Sequence, residues 1–149
     1  MLAPRLAGWG VNYIAGTMAT LRSDEGAIEL IGIPGVKRRD FDAGLIESIP
    51  ARQEGVPRIV LAHYPDQIQL IESLQADVML AGHTHGGQIC LPGGVPVLTN
   101  SAAPRRFASG LWQCGDMIGY TSTGLGVSGI PLRYNSRGEV ALITLRRKA

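Results

Sequence analysis

All three histidines of this 149-residue chain lie between positions 63 and 85. His63 stands in Leu61-Ala62-His63-Tyr64-Pro65-Asp66, and His83 and His85 in Ala81-Gly82-His83-Thr84-His85-Gly86-Gly87-Gln88. Neutral imidazole is the commonest protein metal ligand, and histidines two apart in extended backbone can converge on one cluster. Gly82, Gly86 and Gly87 remove side chains around the pair, so the backbone can turn tightly and approach an ion or a substrate. A lone histidine of this kind reads as a polar loop residue; three of them, flanked by glycines, read as a metal site. Cys90 lies five residues beyond His85, but a His/Cys zinc site at that spacing matches no common structural pattern.

Each histidine group follows an apolar run. Residues 57–62 (PRIVLA) and 77–81 (DVMLA) are continuous enough to be strands buried on both faces. Between them, 67–75 (QIQLIESLQ) reads as a helix opened at Pro65-Asp66, with Asp66 as its N-cap. Strand, helix and strand make a βαβ unit with parallel pairing. In such sheets, ligands sit beyond the carboxyl ends of the strands, where these histidines fall. Upstream, 2–8 reads as the tail of a helix ended by Gly8 and Gly10. Strands are expected over 17–22 and 27–33, joined by a turn at Ser23-Asp24-Glu25-Gly26. Asp40 to Ile49 reads as a helix, with Asp40 or Asp42 as N-cap and Pro50 beyond its end. After residue 86, short segments near 88–91, 109–114, 117–122 and 139–145 alternate with Gly, Pro and Asn turns, which predicts antiparallel pairing. The fold class is α/β, with a parallel βαβ core and an antiparallel C-terminal region.

Composition narrows the function classes. A 45% hydrophobic and 17% charged chain is globular. A formal net charge of +2 gives no support to nucleic-acid or membrane-surface binding. Two cysteines make no disulfide framework, and both are expected to be reduced and partly buried. No apolar run approaches the roughly 20 residues of a membrane span, and the first residues do not read as a signal peptide. The expectation is one domain over 1–149, in the cytoplasm or at the membrane periphery.

Gly-His-Thr-His-Gly-Gly-Gln at 82–88 resembles the last signature of the calcineurin-like metallophosphoesterases, and Leu-Ala-His-Tyr-Pro-Asp at 61–66 the signature before it. Arg105 to Leu111, Ser122 to Arg133 and the run EVALITLR at 139–146 fit as well. The pattern is similar to a bacterial subgroup that includes the pyrophosphate-cleaving hydrolases of UDP-diacylglucosamine in lipid A synthesis. The resemblance implies an αββα sandwich, two divalent ions (Mn, Zn or Fe), and a phosphate-ester or pyrophosphate substrate. It implies His63 and His83 as ligands of one ion and His85 as a ligand of the other. The two ions would bridge a phosphate and activate a hydroxide for in-line attack.

The family's three earlier signatures, D-x-H, G-D-x-x-D and G-N-H-D/E, have no counterpart here. No Asp stands two before a His and no Asn precedes one; Gly115-Asp116-Met117-Ile118-Gly119 begins like the second signature and ends in Gly. Asp40-Phe41-Asp42 sits where a helix begins and reads as capping. The chain therefore resembles the C-terminal half of a family member, half of a sandwich. It is expected to be inactive alone, to bind at most one ion, and to self-associate through an exposed sheet edge. Two other readings are a metal-binding module without catalysis and one half of a split enzyme completed by a second chain. Gly124-Leu125-Gly126-Val127-Ser128-Gly129 matches a dinucleotide-binding pattern, but Pro131 opposes the helix it needs, so it reads as a loop bordering the cleft. Arg105, Arg106 and Arg133 read as solvated charges rather than phosphate contacts.

Overall fold

The computed structural model describes residues 3–37, 40–69 and 71–146. A short helix, Ala3–Gly8 (α1), precedes the first hairpin. Strands Met18–Ser23 (β1) and Gly26–Gly32 (β2) pair antiparallel, Met18 opposite Ile31 and Ser23 opposite Gly26, around the expected turn. Arg58–Leu61 (β3) and Val78–Ala81 (β4) pair in parallel, with Ile59 beside Val78. β3 also runs parallel to β2. Cys90–Leu91 (β5) and Val95–Pro96 (β6) form a separate antiparallel ladder. Gly110–Cys114 (β7) and Met117–Thr121 (β8) form a second hairpin, and β8 then pairs in parallel with β4. The sheet order is β1-β2-β3-β4-β8-β7. The antiparallel hairpin expected over 109–122 is present, but its second strand extends the parallel core.

Alternation divides the sheet into two faces. Ile31, Val60, Met79 and Trp112 lie on the covered face with Ile33, Ile68, Ile71 and Leu74. Trp112 lies flat across β8, where a Cβ on Gly119 would come within 2.1 Å of its ring. Its Nε1–H donates to Thr121 Oγ1 at 2.9 Å. Arg58 is buried on this face too: it donates to Glu29 Oε2 at 2.7 Å and to the carbonyls of Leu74 and Pro50, each at 3.0 Å. It thereby ties both segments that cross this face to the sheet. The other face presents Leu30, Ile59, Val78 and Ile118 in one row and Leu61, Leu80, Tyr120 and Leu111 in the next. Leu111 is 75% exposed and Ile118 49%.

Three expectations are corrected. The connection between β3 and β4 is not an α-helix over 67–75. It is two 3₁₀ segments, Pro65–Gln69 and Glu72–Leu74, closed by Gln75 at φ 52°; Leu70 lies outside the described residues. Ile68, Ile71 and Leu74 are all buried and recur every third residue, which matches a helix of three residues per turn. The helix expected over Asp40–Ile49 shrinks to Gly44–Ser48 (α2), because Asp42 Oδ1 accepts from Gly44 N at 2.9 Å and starts the turn there. No strand forms over 139–145; Val140 is 82% exposed and Leu142 95%. Glu139 is drawn away instead, its Oε1 accepting from Tyr120 Oη and Thr123 N, each at 2.9 Å. Of the helix expected over 2–8, Leu2 lies outside the described residues.

Candidate functional site

β3 and β4 are neighbours and run the same way, so the residues after them share one edge of the sheet. His63 and His83 meet there, His83 Nδ1 lying 3.2 Å from His63 Nε2. Tyr64 packs its ring 4.1 Å from that of His83. His83 Nε2 is 3.0 Å from the carbonyl oxygen of Asn100. A carbonyl only accepts, so the neutral ring carries its proton on Nε2 and keeps its lone pair on Nδ1, toward His63. His63 is pushed below the usual imidazole range, first by burial and then by the neighbouring His83 and His85. The His63 ring is thus biased toward the neutral form that can donate a lone pair.

The turn after β4 has an unusual backbone. His83, His85 and Gln88 adopt φ of 68°, 51° and 52°, in the left-handed region that side chains normally avoid. Gly87, at φ 87°, has no room for a side chain: a Cβ would sit 2.2 Å from Pro96 Cβ. Gly82 faces open space, so the close approach expected at all three glycines applies to Gly86 and Gly87. Thr84 Oγ1–H donates to Ala108 O, anchoring the turn to the segment before β7. Gln88 clamps the opposite wall: its Nε2 donates to Ser128 O and Ile130 O, and its Oε1 accepts from Ser128 N. The loop over 124–129 therefore borders the histidines, as expected. His63, His83, His85, Gln88, Asn100 and Ile130 line a cavity of about 530 Å³. A concavity of about 610 Å³ at the other end of β4 holds no histidine, and its Asp77 is paired with Arg52 at 2.8 Å.

Several sequence expectations are corrected here. Arg133 is not a solvated charge: its guanidinium donates to the carbonyls of Gly126 and Thr123, at 2.6 Å each, Gly124 at 3.0 Å and His85 at 3.1 Å. Asp66 does not cap a helix; its Oδ2 accepts from Ala102 N at 3.2 Å and holds the loop that carries Asn100. Cys90 is buried and its thiol donates to Gly86 O, while Cys114 is exposed rather than partly buried. Arg105 and Arg106 are exposed, as read, Arg106 lying 4.5 Å above the Phe107 ring. Asn100 was missed because it contributes a backbone oxygen, which no side-chain pattern reports.

A divalent ion fits part of this arrangement. Zinc–imidazole bonds of about 2.0–2.1 Å put two nitrogens on a tetrahedral ion roughly 3.3 Å apart. The His63–His83 nitrogen separation of 3.2 Å is close to that edge. Donation of the second ring N–H to a carbonyl, as His83 does to Asn100, is the usual support of a metal-binding histidine. His85 lines the same cavity, but among the described residues no three His, Cys, Asp or Glu side chains are grouped to hold a metal.

With this geometry, the comparisons point one way. The chain is 32% identical over 148 residues to the phosphodiesterase YaeI of Escherichia coli, an alignment covering 97% of this chain and 51% of that protein. It is 36% identical over 128 residues to an uncharacterized metallophosphoesterase of Helicobacter pylori, covering 83% of this chain and 33% of the relative. It is 35% identical over 88 residues to the uncharacterized metallophosphoesterase YkuE of Bacillus subtilis, covering 59% and 30%. This is a relative of metallophosphoesterases. It spans about half the length of YaeI and less of the other two. No family model matches the chain, and no solved structure matches it. Divalent metal use is a general property of metallophosphoesterases. No helix among the described residues is long and apolar enough to cross a membrane.

Proposed function

We propose that this chain is the C-terminal part of a metallophosphoesterase domain and that its histidine cavity forms one wall of a site hydrolysing a phosphodiester or pyrophosphate. The observation that carries this reading is the facing nitrogen pair of His63 and His83, with Asn100 behind it. His63 and His83 would hold one Mn, Zn or Fe ion, and His85 would contribute to a second. A bound divalent ion supplies Lewis acidity to a phosphoryl oxygen. The residues of this chain bring imidazoles to the cavity, keep the turn rigid through Thr84 and Gln88, and wall the cleft with the 124–130 loop. The remaining ligands would come from elsewhere, either from a preceding segment of the same protein or from a second chain. The outward apolar face of the sheet supports this, since a second sheet packed on it would complete an αββα sandwich. The subgroup of UDP-diacylglucosamine hydrolases is part of the proposal on motif resemblance.

Calorimetric titration with manganese or zinc tests the site. Wild type is expected to bind one ion weakly at about pH 7.5, and His83→Ala to bind none. Binding retained in His83→Ala would overturn the assignment. Turnover of bis-p-nitrophenyl phosphate by the chain alone, abolished by His83→Ala, would instead refute the need for outside ligands. The non-catalytic reading draws on the missing third ligand among the described residues. It predicts no turnover even after co-expression with the part of a relative that this chain lacks.

A further inference from the structure

Arg133 has no role in the reading above, yet it makes more hydrogen bonds than any other side chain near the cavity. Its Nη1 donates to His85 O at 3.1 Å, where Ser136 Oγ–H also donates at 2.8 Å. Its Nη2 lies 3.3 Å from His85 Nδ1. Nε and Nη2 reach the carbonyls of Gly126, Thr123 and Gly124 in the loop after β8. One planar fork thus joins the turn after β4 to the loop after β8, touching both backbone and ring of one histidine. That histidine needs such support, because its φ of 51° persists only where surroundings over-determine it. His83 is held differently, by Asn100 and His63.

We propose that Arg133 is a positioning residue for His85, fixing its left-handed backbone and the orientation of its ring against the cavity. The inference rests on the reading of the cavity as the phosphate-ester site for its functional meaning, but not for its geometry. Lysine cannot substitute: a single ammonium cannot serve carbonyls on two loops and a ring nitrogen together. The test is nuclear magnetic resonance of the full chain, metal-free, with nitrogen-labelled histidine. Arg133→Ala and Arg133→Lys are expected to displace or broaden the ring signals of His85 while those of His63 and His83 stay in place. Ser136→Ala, which removes a single bond to the His85 carbonyl, is expected to have a smaller effect on the same signals. If Arg133→Ala does not fold, Arg133→Lys decides. Unchanged His85 signals, or equal displacement of all three histidines, would overturn the proposal, the latter pointing to general loosening. Because no metal is added, failure of the metal reading leaves this result readable.

Discussion

Protonating His63 works against the folded state. Its folded pKa lies below the unfolded value of about 6.5, so below that pH the unfolded chain binds protons more readily. The stability contributed by the neutral ring is present above about pH 6.5 and is lost as pH falls through the folded pKa. The metal-free chain is expected to melt at lower temperature at about pH 5.5 than at 7.5. His63→Gln should shrink that difference in paired thermal scans; an equal drop in both proteins would assign the effect to other groups. Gly87 makes a second prediction. Alanine there meets both a positive φ and Pro96, so Gly87→Ala should cost about 1–3 kcal/mol in urea titration. At this scale the sequence was most readable where side chains meet, as at His63 and His83, which were expected at one sheet edge and lie there. It was least readable where backbone oxygens are the partners: Arg133 looked free because its partners are carbonyls of loops brought together only by folding.

The elements around the site are short and held from the side. Arg58 joins Glu29 to the carbonyls of Leu74 and Pro50 in a buried cluster. Removing the carboxylate strands a buried guanidinium, so Glu29→Ala is expected to cost about 3–5 kcal/mol in chemical denaturation. Ile71 is fully buried in the 3₁₀ connection, and Ile71→Ala should cost about 2–5 kcal/mol in the same assay. A cost near zero would mean that the connection does not pack as described. The strands β3 and β4 were legible as continuous apolar runs, each followed by a histidine. The connection between them was misread as α-helical because a spacing of three and a spacing of 3.6 are hard to separate over nine residues. The strand expected over 139–145 does not form, because a short apolar segment cannot say whether a partner edge is at hand. None is paired with it here.

Across the whole molecule, the parallel core was predictable and its width was not. Nothing in 117–121 announces that β8 docks beside β4, because register with a strand some forty residues earlier has no local signature. The two faces of the resulting sheet differ, and at the β7-β8 side of the outward face Leu111 and Ile118 leave apolar surface in water. The chain alone is expected to self-associate with rising concentration in sedimentation velocity runs, and Leu111→Lys with Ile118→Lys should suppress it. A monodisperse monomer at all concentrations would show that the face is tolerated. The sheet order β4-β8 also has a temporal meaning during synthesis. When Ala81 leaves the ribosome, β4 has one neighbour and a bare hydrogen-bonding edge, and it must wait for Met117 to be made before that edge is paired. Arg133 emerges later still. The nascent chain therefore carries its histidine turn without the Arg133 bonds from the synthesis of His85 until Arg133 has been made.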